Sequence, residues 1–393
     1  MKLPSYAMIS IVLPLLSITL YLISLWSAYA PDYNSPPRIE LVVYSGIDLI
    51  FSLLVFVFFT LYIRYRYKSA AIFFTVSDQD LKNLLLLFLA ISPILFYLIY
   101  NKFLIILGGT TREELISSGD SSRIMMIAVP MVTVGFPLFF VFCKKTIVTM
   151  FVFLLLIAVS IYSLSRAGFL IAMFMVMVVW FMRTENSGRN ISKSNLIFWM
   201  VVFILISGLM TISQGRADTI FSGLNNAWDS FFKYRGFSFH LANRVVDLKD
   251  YNFSHALYPF FGFGYERVAS IFYDFSTPIS VKGSTFVTDF VLLGSSRAYA
   301  ANVLYPWWVW FYASFGYIGI IFKAIFCLFL LNIFFIFRMK ISYFYFSFTI
   351  LFGACIKHPF LNNDTLYFFL SVMLIDLVLK IRIRKNSCHR LVR

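Results

Sequence analysis

The chain has 393 residues, of which 60% are apolar, 20% aromatic and only 13% charged, with a formal net charge of +15. Soluble domains carry about 25% charge, and no compact core of this length hides so much apolar surface, so a conventional soluble enzyme and a disordered or fibrous chain are both excluded. The basic residues punctuate apolar runs instead of clustering, which points to a bilayer and away from nucleic acid.

Low-charge windows long enough to cross about 30 Å of hydrocarbon recur along the chain. They begin with 2–32 and Leu41–Ile63, the latter broken only by Asp48, and continue with Asn83–Asn101, Ile124–Cys143 and Thr146–Ser165. Ala167–Met182, Ser194–Gly215, Ala313–Phe337, Ile341–Ile356 and Thr365–Leu379 complete the set. The fold class expected is all-α: a polytopic bundle of about ten transmembrane helices with a large, partly helical periplasmic loop. Helices 1–7 fall in 1–212, the loop in 213–304, helices 8–10 in 305–381 and a basic tail in 382–393.

Arg64, Arg66, Lys68, Lys144, Lys145, Arg183, Arg189, Lys193, Arg338, Lys340 and the tail fall on one side of this plan. The positive-inside rule therefore places both termini in the cytoplasm. The first segment is read as a span and not a signal peptide, since no small-residue cleavage site before a secreted domain follows it. Four scattered cysteines without a CxxC pair imply neither a disulfide framework nor a zinc site. Neither a Walker lysine nor an HExxH is present, so no nucleotide-driven pump is visible.

The 92 residues of 213–304 break the hairpin rhythm and hold 8 of the 33 basic and 7 of the 18 acidic residues. Loops of this length without a role are uncommon. Ile220, Phe221, Leu224, Trp228, Phe231 and Phe232 share one helical face, the pattern of a helix lying in the membrane interface. Farther along, helical spacing puts His240, Arg244 and Asp247 on one face. The loop closes on Tyr305-Pro306-Trp307-Trp308-Val309-Trp310-Phe311-Tyr312, an aromatic belt.

Arg166, Arg216, Arg235, Arg244, Arg267 and Arg297 all lie on the outer side, where the charge rule disfavours them. Arginine keeps its proton and makes bidentate contacts with phosphate and carboxylate, so such a cluster suits a diphosphate headgroup or an acidic sugar. The competing reading is surface pairing with Asp218, Asp229, Asp247, Asp250 and Glu266, contacts of low worth. Arg166 differs because it occupies a bare turn between two spans, a boundary position where a charge is a functional candidate. Lys357 and His358, with Asn362, Asn363 and Asp364, form a second small outer cluster that either completes a pocket or is a hydrated turn. Within the spans, Lys323 is expected to belong to a structural ion pair, and Met173, Met175 and Met177 to packing.

Ser165-Arg166-Ala167-Gly168 resembles the serine-arginine-small-glycine turn of the O-antigen polymerase and ligase group. So do the late loop, Gly262-Phe263-Gly264-Tyr265-Glu266 and Phe315-Gly316-Tyr317-Ile318-Gly319. Ligases of the group carry a His-Asn pair before the last motif, where this chain has Ala301-Asn302; an Arg-x15-Gly spacing of some polymerases is matched by Arg267 and Gly283. The resemblance implies a Wzy-type polymerase of the bacterial inner membrane, a glycosyltransferase joining undecaprenyl-diphosphate-linked oligosaccharide repeats into O-antigen or a similar surface polysaccharide. It implies no metal and no cofactor, with membrane lipid and a chain-length regulator as partners and no nucleic acid. Positioned arginines, Lys357 and His358 would then bind the diphosphate or the glycan. A base must take the acceptor hydroxyl's proton, and His240, His255, Glu266 and Asp289 are the candidates. The competing functions are an O-antigen ligase, or a flippase or transporter of lipid-linked oligosaccharide.

Overall fold

The computed structural model describes residues 8–66, 73–107, 123–163, 167–183, 193–213, 219–248, 255–272, 286–287, 289–295, 299–302, 304–353 and 356–390. The chain is mostly helical. After a wide turn at Met8–Val12 come α1 (Leu13–Ala28), α2 (Ile39–Arg66), α3 (Asp78–Leu107), α4 (Arg123–Phe142), α5 (Thr146–Tyr162), α6 (Ala167–Met182) and α7 (Lys193–Ser213). The long segment 213–304 contains α8 (Ile220–Val246), the short α9 (Tyr258–Phe261), α10 (Phe263–Phe272) and the strands β1 (Val291–Leu292) and β2 (Ala300–Ala301). The chain ends with α11 (Trp307–Phe315), α12 (Gly319–Ile336), α13 (Lys340–Phe348) and α14 (Asn363–Arg390).

Each low-charge window coincides with a helix, and among the described residues five helices are long and apolar enough to cross a membrane: Ile9–Ala28, Ile39–Arg66, Asp78–Asn101, Met125–Phe142 and Trp307–Ile336. The starts of three helices, α3, α8 and α14, are fixed by local chemistry. Ser77 and Asp80 exchange hydrogen bonds, each backbone N–H donating to the other's side chain at 3.1 Å. Thr219 with Ser222, and Asn362 with Thr365, do the same before α8 and α14. These reciprocal boxes satisfy N–H groups that the first turn leaves without helical partners.

Two windows differ from a plain span. The expected Ala313–Phe337 helix starts earlier, at Trp307, and is broken by a tight turn at Gly316–Ile318. Gly316 adopts φ +57°, open to glycine without steric penalty, and a Cβ on Gly319 would lie 2.4 Å from the Phe311 carbonyl oxygen. The expected 341–356 helix ends as a wide turn, Thr349–Gly353, where Ser17 Oγ donates to the Leu351 carbonyl.

The chain divides into two compact units. The first takes Met1–Tyr67, Asp229–Phe337 and Phe346–Phe369. In it α12 packs on α2 and α11, and Lys323 Nζ on α12 pairs with Asp48 on α2 and donates to Ser52 Oγ. The apolar window is thus interrupted by Asp48 because that carboxylate has its counter-ion in another helix.

The second unit takes Lys68–Trp228, Arg338–Tyr345 and Leu370–Arg393. Its centre is α4 packed on α5 and α6. Phe136, Phe153, Phe169 and Phe203 meet edge-on or tilted, with centroids 5.5–6.3 Å apart. Met175 and Met177 are buried in packing. Asp376 accepts the backbone N–H groups of Ile341 and Ser342 at the start of α13, at 3.1 and 2.7 Å.

Candidate functional site

Three connections of the first unit are tied to one another or to the long segment: the Asn34 N–H of the 29–38 turn donates to Leu293 O, and the His358 N–H of the 356–362 turn donates to the carbonyl of Tyr305, just before α11. The long segment also docks on α1. Ser27 Oγ donates to the Phe232 carbonyl at 2.8 Å, and a Cβ on Gly236 would lie 2.8 Å from Tyr33 Oη, so α8 approaches the end of α1 as closely as glycine permits. From Arg235 to Val245 this helix is largely buried, whereas Phe221 and Trp228 nearer its start are exposed.

His240 lies in that buried stretch. Its Nε2 is 3.0 Å from the Ala28 carbonyl oxygen, and its ring stacks on Tyr33 at 3.9 Å between centroids. A carbonyl only accepts, so Nε2 carries the proton and Nδ1 the lone pair. Burial pulls the imidazole pKa down, opposed by the Ala28 hydrogen bond, and keeps the ring neutral.

A two-stranded ladder pairs Val291 with Ala301 and Leu292 with Ala300. It extends onto the 29–38 turn: the Asn34 N–H donates to Leu293 O, and the Ser295 N–H to Asp32 O, both at 3.0 Å. Tyr299 Oη donates to the Asp32 carboxylate, and Lys233 Nζ sits 4.9 Å above the Tyr299 ring. Burial, then the Asp32 contact, push the Tyr299 phenol up to about 12.

Beside this lies the most substrate-like constellation. Arg244 Nη1 donates to Phe286 O at 3.2 Å and to Tyr305 Oη at 3.0 Å, and its guanidinium lies 4.5 Å over the Phe286 ring. Tyr305 Oη in turn donates to Phe286 O at 2.9 Å. Burial holds this phenol neutral, pushed up to about 12, against the opposing pull of Arg244, with the Asp289 charge adding to the rise. Asp289 is exposed. Among the described residues, nothing else hydrogen-bonds the Arg244 Nε and Nη2 edge, the edge that takes two oxygens of a phosphate at once. Next to it, Arg38 Nη2 donates to both carboxylate oxygens of Asp247, at 2.6 and 2.7 Å.

The 356–362 turn is clasped to α9. His358 Nδ1 accepts the Phe360 N–H at 2.9 Å, so Nε2 carries the proton and donates between the carbonyls of Tyr258 and Pro259 at 3.2 and 3.1 Å. Burial lowers its pKa to about 3, so it is a neutral donor with both nitrogens engaged. Lys357 is pulled down to about 8 by burial, with Asp364 opposing. Between α10 and the first turns of α14 lies a cleft of about 570 Å³, with Arg267 exposed at its edge.

Among the described candidates, His358 donates its backbone N–H to the carbonyl of Tyr305, whose hydroxyl anchors Arg244, while His240 bonds Ala28. Arg166, Arg216 and Arg297 lie outside the described residues. Arg235 is buried against the Phe231 ring, 4.6 Å from its centroid. His255 and Glu266 are buried, which leaves Asp289 as the solvent-facing member of the four base candidates. Sequence reasoning missed the pairing of Asp32 with Tyr299 and the anchoring of Arg244 by Tyr305. The aromatic belt was the available signal for Tyr305, but it speaks of membrane depth and not of a hydrogen bond. Among the described residues, no group of three His, Cys, Asp or Glu side chains is placed to hold a metal ion. No family model, no curated protein and no solved structure matches the chain.

Proposed function

We propose that the protein is an inner-membrane polymerase of lipid-linked oligosaccharide repeats, with ten spans, both termini cytoplasmic and 213–304 forming a periplasmic cap. The observation that carries this reading is Arg244: a guanidinium anchored by one nitrogen, with its bidentate edge open, beside the exposed carboxylate Asp289. In the proposed reaction Arg244 holds the diphosphate of the donor. The acceptor hydroxyl oxygen bonds to the anomeric carbon, the bond from that carbon to the diphosphate oxygen breaks, and the electron pair leaves on the diphosphate. Asp289 takes the hydroxyl proton. The guanidinium meets the charge that grows on the leaving group, which is where a fixed cation lowers the barrier.

Deleting the gene is expected to leave surface glycan carrying a single repeat unit in place of a ladder. Arg244→Lys keeps the charge but loses the planar fork, so a protein present at normal level should lose about 10²–10³ in polymerisation rate. A normal ladder from Arg244→Lys and Arg244→Ala ends this assignment.

A flippase is favoured by one observation, the buried Lys323–Asp48 pair within apolar helices, since such charges often mark transport paths. Loss of even single-unit glycan on deletion supports that reading, or a ligase.

A further inference from the structure

The α10–α14 cleft has a composition unlike the Arg244 site. Phe263, Val268 and Leu366 wall it, and Arg267, Asn363 and Tyr367 supply its polar groups. Arg267 is the one cation in the lining, and among the described residues no carboxylate forms an ion pair with it. The nearby Lys357 and Asp364 charges act on each other. The cleft therefore offers one uncompensated positive charge.

Its surroundings are apolar and open. Val268 in the lining and Ile271, one helical turn beyond Arg267, are exposed, as is Phe272 at the end of α10, the last two by three-quarters. An apolar face beside a single guanidinium matches an amphiphile: a headgroup at Arg267 and hydrocarbon along α10. The space is kept free by Gly264, where an added Cβ would lie 3.6 and 3.8 Å from the Leu366 methyl groups. An alanine fits there in ordinary contact, and an aromatic ring would fill the cleft.

We infer that this cleft binds one anionic phospholipid of the surrounding bilayer, its phosphodiester held by Arg267 and its acyl chains lying on Val268, Ile271 and Phe272. Charge decides between lipids. A phosphodiester carries one negative charge, which a single guanidinium balances, whereas a diphosphate carries more charge than one guanidinium neutralises. The site is separate from the Arg244 constellation and does not depend on the glycan chemistry.

The test uses the full chain purified in detergent and exchanged into mixed micelles of phosphatidylglycerol and phosphatidylcholine in equal parts, with bound lipids counted by native mass spectrometry. The wild type is expected to retain one phosphatidylglycerol with about tenfold preference, the worth of one charged hydrogen bond, and Arg267→Gln to lose that preference. Gly264→Phe should lose the bound lipid while Gly264→Ala keeps it. Equal retention by wild type, Arg267→Gln and Gly264→Phe overturns the inference. So does displacement of phosphatidylglycerol from the wild type, but not from Arg267→Gln, by undecaprenyl diphosphate, which would make the cleft a substrate site.

Discussion

Where α4, α5 and α6 meet, the interior is made of Phe, Val, Leu and Met side chains that touch through ring edges and methyl groups. In the unit centred on α2, α11 and α12, several large side chains, Trp307 and Tyr258 among them, end in polar atoms tied to distant backbone. Trp307 Nε1 donates to Pro259 O at 2.7 Å, Tyr258 Oη to Leu361 O at 2.9 Å, and Lys323 is paired with Asp48 beneath the Trp307 ring. Apolar contact tolerates volume-conserving replacement and admits neighbouring arrangements. A buried polar tip accepts one geometry and penalises the rest, because an unmade hydrogen bond there is expensive. The unit with tied side chains is the one that contains Arg244 and Asp289.

The comparison breaks most sharply at the ion pair. Lys323→Met strands a carboxylate that is almost fully buried, and should destabilise the protein by about 3–5 kcal/mol. Adding Asp48→Leu should restore most of that, read as the unfolding midpoint in detergent. A double variant no more stable than the single one would mean that the pair does more than neutralise charge.

Acidification comes next. His358 is held neutral in the folded chain, with a pKa lowered to about 3 from 6.5. Below pH 6.5 the unfolded chain binds a proton that the folded chain refuses, so stability falls as pH drops toward 3, by up to about 1.4 kcal/mol per pH unit. The buried His240 acts in the same direction. His358→Gln keeps a donor but cannot titrate, and should flatten the profile.

Tyr258→Phe removes only the hydroxyl that donates to Leu361 O and should cost about 0.5–1.5 kcal/mol. The smallest effect belongs to the other unit: Met175→Leu, fully buried but volume-conserving, should stay within about 1 kcal/mol. If Met175→Leu proved the more damaging of the two, the contrast between the units would fail.

Hydropathy and periodicity located the helices because both are local signals. A helix around His240 was readable from spacing, though not its burial, and so was an ion-pair role for Lys323. Its counter-ion was not, since Asp48 lies 275 residues away and apolar windows do not state which faces meet. The break at Gly316 was hidden inside an unbroken apolar run, where only the backbone angle exposes it. Lys357-His358 read equally as part of a pocket or as a hydrated turn, since two polar residues at a turn do not state their partners; here the histidine serves two carbonyls about 100 residues upstream. Asp32 and Arg244 gave no local clue to their tyrosines.

That clasp has a consequence for how the molecule is made. The carbonyls of Tyr258 and Pro259 emerge from the ribosome 100 and 99 residues before the histidine that satisfies them. At about 5–20 residues per second this is an interval of roughly 5–20 s. During it the α9–α10 segment has neither His358 nor the Phe360 carbonyl that accepts the Phe263 N–H. The end of the molecule that carries Arg244 is therefore finished only when the turn before α14 arrives. A chain stalled before that turn would hold its earlier helices with these carbonyls unsatisfied, which makes the turn before α14 a completion step in biogenesis.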